Sequence, residues 1–249
     1  MAFALFAWLG RPLVDAYGLN AVYLAHGGWM AASVLAVAAI GLPEEKAQTA
    51  QRLRLGGVLK QHWEVYRSPF MNAAAVGWLF YTFCFVSLLT LLPPYIAPEW
   101  RTFTVGAMPL MSMIISMTLG VWLLRYWVIV RVIQTGFLVS AMAALGLLLL
   151  PGSPVVCLLL AGALGLIQGA SFALVPELND TAADRANANG VFAQTGNLGN
   201  TIGTPILLAV IAMSGYGGML MVSAVLLVIG AAAHMVLAQA RARARGPGA

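Results

Sequence analysis

Apolar runs of about 20 residues recur along almost the whole chain, and they constrain its fold more than any other feature. Each run is long enough for one helix to cross the roughly 30 Å hydrocarbon core of a bilayer. With 61% hydrophobic and 8% charged residues, the chain also lacks the polar surface that a water-soluble domain needs. The sequence therefore predicts an all-α polytopic membrane protein with seven complete spans: 20–42, 70–93, 103–124, 127–150, 155–175, 190–213 and 217–237.

Basic residues set the predicted orientation. A hydrophilic segment at 44–68 follows the first complete span, and apolar side chains intersperse its charges, which is typical of a helix lying at the membrane surface. If this segment is cytoplasmic, alternation of the spans places on that side all of the 13 Lys and Arg residues except Arg11 and Arg101. Because basic loops remain cytoplasmic, we expect this segment and the C-terminal tail to face the cytoplasm, in the inner membrane.

The same rule explains the net charge of +5, so no nucleic-acid partner is expected. Cys84 and Cys157 lie within apolar runs, where neither a disulfide nor a zinc site is expected. No Asp, Glu, Lys or Arg lies in the middle of a complete span, so the proton-relay acid common in transporters is not predicted here. The histidines are scattered, which argues against an enzyme. The sequence predicts neither a metal nor a cofactor.

Several segments resemble the major facilitator superfamily. GRPLVDAYG at 10–18 is similar to the family's outer turn between its fifth and sixth helices, and LPEE at 42–45 to the end of its sixth helix. The basic segment that follows is similar to the central cytoplasmic loop. GVWLLRYW at 120–127, together with Arg131, occupies the place of the family's repeated signature between helices eight and nine. In this chain Leu124 replaces the acid of that signature, and Trp127 replaces its second glycine.

This resemblance implies the C-terminal portion of an MFS transporter, from the end of helix five through helix twelve. We accordingly expect residues 1–42 to be a remnant of the N-terminal half and residues 43–69 to be the central loop. Residues 70–239 would form the six-helix C-terminal half, and residues 240–249 a basic cytoplasmic tail. The family's halves move around a solute site between them, so the resemblance implies alternating-access transport of a small organic solute.

The predicted span at 190–213 carries an unusual polar face. On a helical wheel, five amide and hydroxyl residues share an arc of roughly 120°: Gln194, Asn197, Asn200, Thr201 and Thr204. A neighbouring arc holds glycines, which let another helix approach closely: Gly196, Gly199 and Gly203. Amides in membranes also act as hydrogen-bonding glue between helices. Five on one face favour a water-filled solute path instead, and we predict them as cavity residues.

Side chains on other spans extend the predicted cavity. Gln168 lies beside a row of glycines, so its alternative role is packing. An aromatic wall for an organic solute is predicted on the span at 70–93, although aromatics there also pack in cores: Trp78, Tyr81 and Thr82. Charged residues at the cytoplasmic edge are predicted inner-gate residues, with an ordinary solvated turn as the alternative: Glu177, Asp184, Arg185, Arg125 and Arg131.

A rival interpretation stays open at this stage. Alternating access requires two halves that move against each other around one site, and the chain is expected to hold one half. The alternative is therefore a truncated fragment that transports nothing, or a half-transporter that needs a partner. Besides the solute and the lipid bilayer, the expected partners are a second copy of the chain or the missing N-terminal half.

Overall fold

The computed structural model describes residues 13–40 and 55–245, and the described part is helical without a strand. The chain divides into two compact units, residues 1–62 and residues 63–249. The first three residues of the predicted motif at 10–18, the motif at 42–45 and the basic residues at 46–54 lie outside the described residues. The main helices are α1 (Leu19–Ile40), α2 (Leu55–Arg67), α3 (Ala73–Leu91), α4 (Pro98–Leu124), α5 (Ile129–Leu149), α6 (Pro154–Leu178) and α7 (Ala182–Arg245).

Six of these helices are long and apolar enough to cross a membrane. The last, α7, has 64 residues, about three times the length that crosses a bilayer. Gly215 interrupts it with φ 66° and ψ −163°, a backbone conformation that glycine adopts without steric cost. We call the two parts α7a (182–214) and α7b (216–245). The prediction of an all-α polytopic membrane protein is confirmed, and the division at Gly215 restores the predicted seven spans.

In the first unit, α1 is apolar around its whole circumference, and none of its residues is buried. In the second unit, α7a runs parallel to α3: Gly196 lies against Trp78, and Gly203 lies against Ser87. The chain then reverses at Gly215. In α7b the order of contacts with α3 is inverted, because Ser223 contacts Cys84 and His234 contacts Gly77.

The ends of the helices in the second unit meet in two groups. At one end, the Tyr216 hydroxyl donates a hydrogen bond to the Leu147 carbonyl and accepts one from the Gly152 amide, each 3.3 Å long. The Tyr95 and Tyr216 ring centroids are 4.4 Å apart at this end. At the opposite end, the Arg241 guanidinium donates to the Pro69 carbonyl at 3.0 Å. The turns therefore alternate between the two ends, as the spans require.

Close glycine contacts relate the first three helices of this unit to the last three. Gly196, Gly199 and Gly203 bring α7a against α3, and a second glycine row brings α6 against α4: Gly162, Gly165 and Gly169. If α3, α4 and α5 are matched in this order with α6, α7a and α7b, the contact between α3 and α7a corresponds to the contact between α6 and α4. With the same matching, the contact between α3 and α7b corresponds to the contact between α6 and α5, where Gly136 lies against Ile167. The bundle thus has the contact pattern of two equivalent three-helix repeats.

Helix α4 differs from its predicted boundaries. It begins at Pro98 rather than near residue 103, because proline is well suited to the first turn of a helix and Glu99 is favourable beside the helix dipole. Near its other end, Ser116–Gly120 form a π turn. That turn lies where α4 crosses α6, with the Ser116 side chain against Gly169. The wide turn accommodates this close crossing.

Candidate functional site

The polar face of α7a points away from the bundle. Gln194, Asn197, Asn200 and Thr201 are exposed, and Thr204 is half-buried. Within residues 63–245, the side chains of Asn197 and Asn200 make no hydrogen bond. The Thr201 hydroxyl donates to the Asn197 carbonyl of its own helix at 2.7 Å. The side chains of Asn197 and Asn200 therefore do not hydrogen-bond α7a to another helix of this unit, and their place in a solute cavity stays a prediction.

The glycine face of α7a is the side that packs. A Cβ placed on Gly199 would lie 2.7 Å from the Leu79 carbonyl oxygen and 2.9 Å from the Phe83 amide nitrogen, both in the α3 backbone. Thr204 sits beside this contact and donates to the Ser87 hydroxyl at 3.4 Å. A single helix thus separates a glycine side for packing from an exposed amide side, as the two arcs of the sequence predict.

An aromatic cluster adjoins the polar face where α3, α6 and α7a meet. The Trp78 ring stacks on Phe192 with centroids 4.3 Å apart and on Tyr81 with centroids 4.5 Å apart. Phe172 meets Trp78 edge-on at 5.3 Å, and 53% of Phe172 is exposed. Trp78 is half-buried, so it and Phe172 present aromatic surface near the amides. Stacked and edge-on pairs of this kind hold ring positions firmly.

Tyr81 and Thr82 lie deeper than Trp78, and Gln168 is half-buried. Tyr81 and Thr82 are 3% and 5% exposed, and the Thr82 hydroxyl donates to the Trp78 carbonyl at 2.9 Å. Ser112 donates to Gln168 Oε1 at 3.2 Å, which joins α4 to α6 inside the bundle. Direct contact of Tyr81, Thr82 or Gln168 with a solute stays a prediction.

Sequence reasoning missed residues that complete this face. Phe172 and Phe192 belong to apolar runs, and nothing in the pattern distinguishes them from ordinary lipid-facing or core residues. Tyr66 was also missed: its hydroxyl donates to Gln194 Oε1 at 2.9 Å, across 128 positions of sequence. Val65 anchors the same end of α2 by packing with Ala75 and Val191. The apolar residues of the hydrophilic segment were the available signal for this docking.

The predicted inner-gate residues do not form one cluster. The Asp184 carboxylate accepts a hydrogen bond from the Thr181 hydroxyl at 2.7 Å, and that hydroxyl accepts one from the Asp184 amide at 3.0 Å. This reciprocal pair caps the start of α7a, as a capping box does. Arg125 and Arg185 are exposed. Glu177 and Arg131 share a separate cleft between α5, α6 and α7b. A gating role for any of the five stays a prediction.

These features define a polytopic helical membrane protein whose bundle exposes a polar and aromatic face beside a glycine-packed helix pair. The family profile of the Major Facilitator Superfamily matches residues 1–204. The chain therefore belongs to the major facilitator superfamily of secondary transporters, which confirms the resemblance noted in its sequence. None of the curated proteins matches the chain significantly.

Proposed function

We propose that this protein moves a small organic solute across the membrane by alternating access, with the exposed face of α7a lining the solute path. The observation that carries the proposal is the pair of amides, Asn197 and Asn200. They are exposed without a hydrogen-bond partner among the described residues of the second unit. Unpaired amides in hydrocarbon cost several kcal/mol each, so water or a solute is a far better environment for them.

The composition of the face indicates the chemistry of the solute. Amide and hydroxyl groups offer hydrogen bonds, while Trp78 and Phe172 offer aromatic surface. Between residues 186 and 240 the sequence has no Asp, Glu, Lys or Arg, and its one histidine is His234. The His234 imidazole packs against Gly77 and Phe137 and does not belong to the exposed face. An uncharged solute with both apolar and hydrogen-bonding parts fits these groups best.

A second six-helix unit is part of the proposal. The polar face is open on one side, and alternating access needs a facing wall that moves relative to the first. Residues 70–239 would supply one wall as helices seven to twelve of the family. An N-terminal half or a second copy of this chain would supply the other. Without either, the rival outcome is a protein that inserts in the membrane and transports nothing.

Cysteine accessibility tests the water-lined face without knowledge of the solute. Asn197→Cys and Thr201→Cys would be compared with Leu198→Cys and Ala209→Cys on the same helix, since all four positions are exposed in the structure. The native Cys84 and Cys157 are buried and give a low background. We expect a small, water-soluble methanethiosulfonate to label positions 197 and 201 in membranes, and to leave 198 and 209 unlabelled because lipid covers them.

Two outcomes would contradict the proposal. Equal labelling at all four positions would mean that α7a is surrounded by water on every side. Labelling at none of them would mean that the amides are covered by protein or lipid and line no aqueous path. Cross-linking between copies that each carry Asn197→Cys would identify a second copy as the facing wall. Reconstitution in liposomes then decides whether that assembly transports a solute.

A further inference from the structure

A basic cleft lies at the end of the bundle opposite the Tyr216 turn, away from the polar face of α7a. It has a volume of about 410 Å³ and is bordered by the start of α5, the end of α6 and the end of α7b. Its charged lining consists of three arginines and one acid: Arg131, Arg241, Arg245 and Glu177. Within the described part of the chain, none of these arginines makes an ion pair. The cleft therefore carries an excess of positive charge.

Of the three arginines, Arg241 is the best placed to bind an anion in the cleft. It is 6% exposed, and its guanidinium is held by the hydrogen bond to the Pro69 carbonyl. A guanidinium has five N–H donors, so this contact orients the group and leaves donors for an oxyanion. Arg245 is positioned beside it, with its Cζ atom 5.4 Å from the centroid of the Phe70 ring. A buried cation costs free energy unless an anion or hydrogen-bond acceptors compensate for it.

The start of α5 adds a second source of positive potential. Val128, Ile129 and Val130 line the cleft, and Val128 caps the helix without any side-chain hydrogen bond. The Ile129 and Val130 amides are the first of this 21-residue helix and have no acceptor within it, whereas the Arg131 amide already donates to the Val128 carbonyl at 2.9 Å. Helix N-termini and arginine groups are the two protein features that bind phosphate most readily. Their convergence in one cleft suits an oxyanion such as phosphate.

The surroundings favour a lipid as the source of the phosphate. Tyr126 and Trp127 directly precede the cleft and are 70% and 45% exposed, as in the aromatic belts at membrane interfaces. Above the cleft, α5 continues with exposed apolar surface that includes Leu138, seven residues after Arg131 and on the same face of the helix. An acyl chain can follow this surface while the head group occupies the cleft.

We propose that the cleft between α5, α6 and α7b binds the phosphate head group of an anionic phospholipid. Basic pockets between membrane helices recognise such head groups by charge and hydrogen bonding. The lipid would join the ends of three helices that move with the bundle. Inorganic phosphate shares the same recognition chemistry, so the experiment must separate the two sources.

Native mass spectrometry of the full chain in detergent tests the proposal. The protein would be titrated with dioleoyl phosphatidylglycerol or with zwitterionic dioleoyl phosphatidylcholine. We expect preferential phosphatidylglycerol binding, and about tenfold weaker binding after Arg131→Gln combined with Arg245→Gln, since each removes a charge-assisted contact. Arg243→Gln is the matched control, because Arg243 is exposed on the same helix and does not line the cleft. It should bind like the wild type.

Arg241→Gln serves as a second variant, and thermal unfolding without lipid shows whether it folds. If Arg241→Gln does not fold, the double variant at Arg131 and Arg245 still tests the proposal, because both of these arginines are on the surface. Unchanged phosphatidylglycerol binding in the Arg131 and Arg245 double variant would overturn the proposal. So would equal loss of binding in Arg243→Gln. Displacement of phosphatidylglycerol by millimolar inorganic phosphate, with phosphate itself bound, would assign the cleft to a soluble phosphate and overturn the lipid assignment.

Discussion

Gly199 of α7a lies directly on the backbone of α3, where a Cβ would come within 2.7 Å of the Leu79 carbonyl oxygen. The obstacle is main chain, so no side-chain rotation relieves it. The glycine sets the distance between the two helices, and this distance also keeps the Trp78 indole stacked beside α7a on Phe192. The amide face on the other side of α7a is held in place by the same contact.

The first prediction concerns this packing. Gly199→Ala should destabilise the protein by about 1–3 kcal/mol, because overpacking forces the helices apart. Gly190→Ala is the matched control, since Gly190 is helical and a Cβ there meets no atom within 4 Å. The control should be neutral or stabilising by about 0.5–1 kcal/mol, from helix propensity alone. Thermal unfolding in detergent measures both, and equal losses would contradict the packing argument.

The second prediction separates the amide face from the glycine face. Asn197→Leu and Asn200→Leu should leave stability within about 0.5 kcal/mol of the wild type, because both positions are exposed in the bundle. In a transporting assembly they should reduce uptake by at least about tenfold, through loss of hydrogen bonds to water or solute. Expression level and liposome transport are the two measurements. If the amide variants fall in abundance as much as Gly199→Leu, the amides serve folding instead.

The third prediction concerns the docking of α2 on α7a. Tyr66→Phe removes the hydroxyl that hydrogen-bonds to Gln194, a contact worth about 0.5–1.5 kcal/mol. Amides near the end of α2 should then exchange with deuterium severalfold faster, since local opening becomes easier. Tyr126→Phe is the control, because Tyr126 is 70% exposed and lies on the turn after α4. Unchanged exchange in Tyr66→Phe would show that Val65 packing alone holds this end.

The fourth prediction concerns the aromatic cluster. Trp78→Ala should cost about 2–4 kcal/mol, because the indole contacts Tyr81, Phe172 and Phe192 in a half-buried site. Trp100→Ala should cost much less, since that ring is 53% exposed and its nearest ring lies 6.4 Å away. Detergent melting curves compare the two variants. Similar losses would mean that the cluster contributes no more than an ordinary exposed tryptophan.

The fifth prediction concerns orientation. Single cysteines at Ser153 and Ser214 should react with a membrane-impermeant maleimide on intact cells, because both lie at the Tyr216 end of the bundle. Arg185→Cys should react only after permeabilisation, because the positive-inside rule predicts that its basic side faces the cytoplasm. Labelling of position 185 but not of position 153 on intact cells would reverse the proposed orientation.

Much of the fold was predictable because crossing a membrane is a local requirement. A run of about 20 apolar residues specifies a span wherever it occurs, and helical periodicity alone separates the Asn200 arc from the Gly199 arc. The sequence also predicted the turn near Gly215, because a cluster of glycines between two apolar runs indicates a reversal.

Only the tertiary structure decided which distant residues meet. Hydropathy says nothing about which helix Gly199 approaches, so its contact with Leu79 required the packed bundle. Tyr66 hydrogen-bonds to Gln194 across 128 positions of sequence, and Arg131 shares a cleft with Arg241 although 110 positions separate them. The physical reason is that a lipid-facing and a helix-facing apolar side chain have the same hydropathy. Their difference arises from shape complementarity between helices, which no single span contains.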